Sequence, residues 1–273
     1  MVLKHYRPFE IVHIDLAEGL SPLLKRARGD HRDVYAVLWR AGIPLGHLEV
    51  SRSQLERPAP VAHAVARSIA ASVGDRLFRA GFEALPPGMK SPSTHAMPTL
   101  RSLLLAEGPL VKLEAGLFED KPPAMNLSVS VVVCTRNRPR QLERCLQSLY
   151  KMTVAADEVI VVDNHPASAD TRTVVESSPG AIYVVEPNPG LSRARNTGLR
   201  CARGDVVAFA DDDTVVHPDW IRWLCQAFDD PEVMCVTGLV LPAALDTPAQ
   251  VAFEKGMGGF SQGYRRMVYD RAF

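Results

Sequence analysis

A regular alternation of apolar strands and amphipathic helices, beginning at residue 128, most constrains what this chain can fold into. Val129–Cys134 reads as a valine-rich strand. Pro139–Tyr150 follows as a helix, with Leu142, Cys145, Leu146 and Leu149 at i, i+3, i+4 and i+7. Val159–Val162, Ile182–Val185 and Asp205–Ala210 read as further strands, separated by a helix over Asp170–Ser177 and one opened by Asn188-Pro189-Gly190. The latter carries Leu191, Ala194, Gly198 and Cys201, and Gly198 suits close packing against a sheet. Pro218–Phe228 reads as another helix and Val233–Leu241 as a fifth strand. Alternation at this spacing requires right-handed βαβ crossovers. The expected fold class is α/β: a Rossmann-like, mostly parallel sheet with helices on both faces, preceded by a small α+β region.

In such a sheet every strand-to-helix loop lies at the carboxyl edge of the strands. That edge gathers Thr135-Arg136-Asn137, Asp163-Asn164, Glu186 with Asn188, and Asp211-Asp212-Asp213. Two carboxylates about 5 Å apart repel by about 3 kcal/mol at an effective dielectric near 20. Three leaving one strand together stay protonated, face water, or meet a cation. Hard oxygen ligands suit magnesium, manganese or calcium rather than zinc. The loop Cys134–Pro139 has no glycine, which excludes the G-x-G-x-x-G turn of dinucleotide binders, and no P-loop lysine motif is present. A diphosphate would therefore be neutralised by a cation on the aspartates. Arg193 falls in the first turns of its helix, where the dipole disfavours a cation. An anionic ligand resolves that conflict, and so does a pair with Glu186.

The 273 residues carry zero formal net charge, so there is no bulk electrostatic footprint for nucleic acid or for an anionic membrane. Five cysteines (Cys134, Cys145, Cys201, Cys225 and Cys235) show no CxxC pairing and read as reduced thiols, pointing to a reducing, cytoplasmic setting. No apolar run approaches the ~20 residues that span a bilayer.

Four segments together resemble the family-2 glycosyltransferases of the GT-A fold. They are Val129–Asn137, Val159–Asn164, Ala194-Arg195-Asn196-Thr197-Gly198 and Phe209–Asp213, in the family's order and spacing. His217-Pro218-Asp219-Trp220 and Val236-Thr237-Gly238 also match its habits. The resemblance covers residues 128 to about 245. It implies an inverting transfer of a sugar from a UDP, GDP or dTDP donor to an unknown glycan, lipid or small-molecule acceptor, assisted by Mg²⁺ or Mn²⁺. It implies nucleotide-sugar contacts from Thr135, Arg136, Asn137, Asp163, Asn164, Arg195, Asp211 and Asp212, with Asp211 and Asp213 on the metal. The family's downstream Glu-Asp base motif is missing, and Asp246, Glu254 and Asp270 are the carboxylates that follow. Glu254 is the weak candidate for the catalytic base. The expectation is a chain truncated before the acceptor half. A non-catalytic nucleotide-sugar-binding remnant is the main alternative, and a nucleotidyltransferase the other.

The first 120 residues read as a small mixed unit of unassigned role, open to partner docking or peripheral membrane association. Ile11–Leu16 and Val34–Trp39 read as strands, Ala41–Pro44 as a turn into Leu45–Val50, and Pro60–Phe78 as a helix. Scattered His13, His31, His47 and His63 read as structural. Residues 121–127 read as a linker, leaving 128–273 for the nucleotide-sugar-binding domain.

Overall fold

The computed structural model describes residues 7–28, 32–79, 126–256, 263, 264 and 269. The chain divides into two compact units, one formed by Met1–Asp120 with Leu239–Phe273, the other by Lys121–Gly238.

In the first unit, β1 (Phe9–Asp15), β2 (Asp33–Arg40) and β3 (Ile43–Val50) form a sheet in that order. β1 runs parallel to β2, and β2 antiparallel to β3. The β2–β3 turn works because Ala41 and Gly42 both adopt positive φ, 48° and 75°, as a two-residue hairpin demands. The short helices α1 (Ser21–Leu24) and α2 (Arg52–Leu55) precede the long α3 (Pro58–Arg79). Ser51 and Gln54 form a capping box at the start of α2. Val61, Val65, Ile69 and Val73 of α3 pack on one sheet face with Val34, Ala36, Leu38 and Leu45. The expected helix and hairpin are thus present, with the helix two residues longer at its start.

The second unit carries the four parallel strands expected. These are β4 (Val129–Thr135), β5 (Glu158–Asn164), β6 (Ala181–Glu186) and β7 (Val206–Asp211), ordered β6-β5-β4-β7. Interleaved are α4 (Pro139–Leu149), α5 (Asp170–Glu176), α6 (Leu191–Cys201) and α7 (Trp220–Ala227). Alternate residues of each strand serve opposite faces. Val129, Val131 and Val133 pack with Leu142, Cys145, Leu146 and Leu149 of α4 and with Ile221 and Leu224 of α7. Val132, Ile160 and Val162 pack with Ala194 of α6 on the other face. The expected Rossmann-like, parallel sheet with helices on both faces is therefore in place.

Val233–Leu241 is not a strand. The segment has no ladder partner among the described residues, and Met234 is 88% exposed. An apolar run becomes a strand only when a neighbour takes its backbone bonds, and Pro231, Gly238 and Pro242 flank or interrupt this one. The chain from Leu239 onward instead clusters with the first unit, so the second compact unit closes at Gly238. There Leu245 and Val251 of α8 (Pro248–Gly256) join Phe9, Tyr35 and Val37 on the sheet face opposite α3. Phe9 N–H donates to Leu245 O at 3.0 Å. The linker residues 121–125, His31 and Asp270 lie outside the described residues.

Candidate active site

With strands ordered β6-β5-β4-β7, the chain winds outward through β5 and β6 and returns to the far side of β4 for β7. The carboxyl ends of β4 and β7 are thus the point where strand order reverses, the usual position of a ligand crevice in an open α/β sheet. Cys134 stands in register with Asp211 across these two strands. Thr135 and the three aspartates therefore meet at that point because of topology, although they lie far apart in sequence.

The three carboxylates have different surroundings. Asp212 is buried; Thr135 Oγ1 donates to its Oδ2 at 2.7 Å, and Arg138 Nη1 stands 3.3 Å from its Oδ1. Asp213 is 58% exposed, with Arg138 Nη1 at 3.5 Å. Asp211 is 65% exposed, with Arg195 Nη2 at 3.3 Å. Asp212 is a fixed anchor, whereas Asp211 and Asp213 turn open oxygens outward. Among the described residues no group of three or more His, Cys, Asp or Glu is arranged to hold a metal by itself. That does not exclude the expected ion, because Mg²⁺ characteristically takes one or two carboxylates and completes its shell with water and substrate phosphates. The donor set of two open aspartates fits such an ion.

Asp163 is fully buried at the end of β5. The Tyr183 hydroxyl donates to its Oδ2 at 2.9 Å, while its Oδ1 is buried with no hydrogen-bond partner. Burial pushes the carboxyl above the usual carboxylate range, and the neighbouring Tyr183 and Thr171 hydroxyls pull it partly back. An unmatched buried acceptor is costly and calls for a functional reason. The folded state then binds more protons here than the unfolded chain does. The site's contribution to stability therefore falls as pH rises from about 4 through the raised value. Asp163→Asn removes that slope, and thermal melts between pH 4 and 7 should show Tm rising by a few degrees at neutral pH. A variant that melts lower than wild type across the whole range would contradict this.

Asn137 and Asn164, expected at the donor, both make bonds to the rim loops. Asn137 adopts the left-handed conformation (φ 54°), which asparagine tolerates, and its Oδ1 accepts from Ala167 N–H at 3.1 Å. The first loop thus turns without the glycine that its sequence lacks. Asn164 donates to Asn188 O at 2.7 Å and accepts from Gly190 N–H at 2.9 Å, tying the end of β5 to the start of α6. Glu186 accepts from Thr197 Oγ1 at 2.6 Å and from Asn188 N–H at 2.9 Å. These bonds, Thr197 first, hold its carboxyl below the usual range, with nearby Arg193 adding to the effect. Arg136 is exposed on the first loop. Burial pushes both the Cys134 and Cys145 thiols to about 11, so neither supplies a thiolate nucleophile at neutral pH.

Glu254 lies in the first unit, where Tyr35 Oη donates to its Oε1 at 3.0 Å; Asp246 pairs with Arg32 at 2.6 Å. Sequence reasoning did not single out Arg138 or Tyr183. The position of Arg138, last before the proline that starts a rim helix, was a readable signal. Tyr183 inside a strand carried none.

Residues 130–252 match glycosyl transferase family 2. The chain is 35% identical over 125 residues to glucosyl-dolichyl phosphate glucuronosyltransferase of Haloferax volcanii, covering 42% of this chain and 39% of that protein. It is 34% identical over 103 residues to UDP-Gal:alpha-D-GlcNAc-diphosphoundecaprenol beta-1,3-galactosyltransferase of Escherichia coli, covering 36% of each. The chain thus spans less than two fifths of the length of each of these two relatives. Among solved structures, mannosyltransferase PcManGT from Pyrobaculum calidifontis, in complex with GDP-Man and Mn²⁺, is 28% identical with a TM-score of 0.37, covering 45% of this chain and 38% of that one. No helix among the described residues is long and apolar enough to cross a membrane.

Proposed function

We propose that this chain binds a nucleotide-diphosphate sugar and acts as a glycosyltransferase that displaces the diphosphate with an acceptor hydroxyl, inverting the anomeric centre. The observation that carries this reading is the convergence of Thr135 with Asp211, Asp212 and Asp213 where strand order reverses. The relatives' names, which include a UDP-galactose-dependent enzyme, support a nucleotide-sugar donor.

In this reading Asp163, at the carboxyl end of β5, is set beside the base. Asp212 is held by Thr135 and Arg138 and braces the rim beneath the donor sugar. Asp211 and Asp213 would hold a divalent cation, which when bound supplies charge neutralisation to the departing diphosphate. Arg195 keeps Asp211 in place. With no thiolate available at Cys134 or Cys145, direct attack by the acceptor is the simpler route.

A second reading, donor binding without transfer, is favoured by the engagement of Asp246 with Arg32 and of Glu254 with Tyr35 in the first unit. Incubation with UDP-, GDP- and dTDP-sugars plus Mn²⁺, followed by assay of free nucleoside diphosphate, separates the two. Slow release by wild type that disappears in Asp213→Ala supports the transferase. Binding of donor without release supports the second reading, and neither binding nor release contradicts both.

A further inference from the structure

We infer that Arg138 is a built-in counter-cation of the aspartate cluster, which a divalent cation must displace, so that metal and diphosphate bind cooperatively through this one side chain. The inference rests on the donor reading above and goes beyond it by assigning a role to a residue outside the expected contacts.

Arg138 Nη1 stands between two carboxylates, 3.3 Å from Asp212 Oδ1 and 3.5 Å from Asp213 Oδ2. Both distances exceed those of a close charge-assisted bond, so one guanidinium is shared between two anions rather than committed to either. Asp213 is one of the two carboxylates open to an ion, and its described cationic neighbour is this arginine. The cluster carries three negative charges, and Arg138 and Arg195 together return two. A dication arriving with Arg138 in place enters a nearly balanced site and gains little. With Arg138 withdrawn it meets the field of the open carboxylates.

The arginine is also poised to leave. It is 54% exposed and occupies the residue immediately before α4, where it makes no capping bond and where the helix dipole disfavours a positive charge. A bound diphosphate offers the freed, planar guanidinium a better, bidentate partner at the same rim. Metal entry releases Arg138, Arg138 engages the diphosphate, and each ligand thereby strengthens the other. Linkage makes the effect reciprocal.

The test uses Mn²⁺ and inorganic pyrophosphate, so that it does not depend on which base is recognised. Free Mn²⁺ is followed by its electron paramagnetic resonance signal in titrations of wild type, Arg138→Gln and Arg140→Gln, with and without pyrophosphate. Arg140 is an exposed neighbour on α4 and matches the change in net charge. Wild type and Arg140→Gln should bind Mn²⁺ weakly alone and about tenfold more tightly with pyrophosphate. Arg138→Gln should bind Mn²⁺ alone about tenfold more tightly than wild type, with little further gain from pyrophosphate. Equal or weaker Mn²⁺ affinity in Arg138→Gln than in wild type, or a rise in metal-alone affinity in Arg140→Gln as large as that in Arg138→Gln, overturns the inference while leaving the donor reading standing. No Mn²⁺ uptake by any of the three proteins, even with pyrophosphate, overturns both.

Discussion

Gly198→Ala should destabilise the second unit by about 3 kcal/mol, the scale of overpacking a filled core. A Cβ at this position overlaps Val132 Cγ1 and lies 3.2 Å from Val162 Cγ2, so α6 would have to lift off β4 and β5. Helix propensity alone argues the other way, because alanine is favoured over glycine in a helix by about 1 kcal/mol. A loss of stability is therefore diagnostic of the close approach. The expected fall in Tm is about 6 to 12 °C. Leu199→Ala, one residue on and 52% exposed, should stay within about 0.5 kcal/mol of wild type. If both variants melt like wild type, α6 is not seated on the valines, and the start of α6, which Asn164 and Glu186 tie down, loses its support.

The second large effect concerns binding rather than stability. Asp213→Ala should leave the melting temperature nearly unchanged, because its carboxylate is exposed and shares only the long Arg138 contact. Metal-dependent nucleotide affinity should nevertheless fall by up to about a hundredfold, the scale on which metal sites respond to loss of a supporting group. Asp212→Ala should behave differently. It strips the buried Thr135 hydroxyl of its acceptor, which costs about 1 to 3 kcal/mol and weakens binding through misplacement of the rim. Equal stability losses in the two variants would contradict the division between an anchoring aspartate and two open ones. Calorimetric titration of nucleotide with and without Mn²⁺, beside thermal melts of each variant, measures both quantities.

The sheet was legible in the sequence because its strands announce themselves chemically. Valine runs with buried alternation on both faces and helices with four apolar positions per stripe leave few competing arrangements, and Gly198 was readable as a packing residue for the same reason. The rim followed from topology, since any parallel sheet collects its βα loops at one edge. The partners within that rim were not legible. Thr135 and Asp212 are separated by 77 residues, and only the β4–β7 register brings them into contact. That Asn137 Oδ1 accepts from Ala167 N–H, and that Asn164 ties Asn188 to Gly190, only the hydrogen bonds reveal. The place of Arg138 before a rim helix was readable, but nothing local shows that two carboxylates from a distant strand arrive beside it. Val233–Leu241 misled for the opposite reason. Its composition suits a strand, but a strand is a property of two segments, and this one has no neighbour to pair with among the described residues.

The same limit applied to the boundary between units. Composition marked the Pro-rich stretch near residue 121 as a linker. It gave no sign that the chain from Leu239 would cluster with the first unit, with α8 covering the sheet face beside Tyr35 and Val37. That face needs a cover because Phe9, Tyr35 and Val37 are all buried on it. The pattern of β1 and β2 alone shows apolar residues on both faces without saying what fills the second.

The most direct test of the account is a calorimetric titration of the wild-type chain with UDP, GDP, dTDP, CDP and ADP, each with and without Mn²⁺. Metal-dependent binding of UDP, GDP or dTDP, lost in Asp213→Ala, is the expected result. Binding of every nucleotide alike, or binding indifferent to Mn²⁺ and to Asp213, would contradict it.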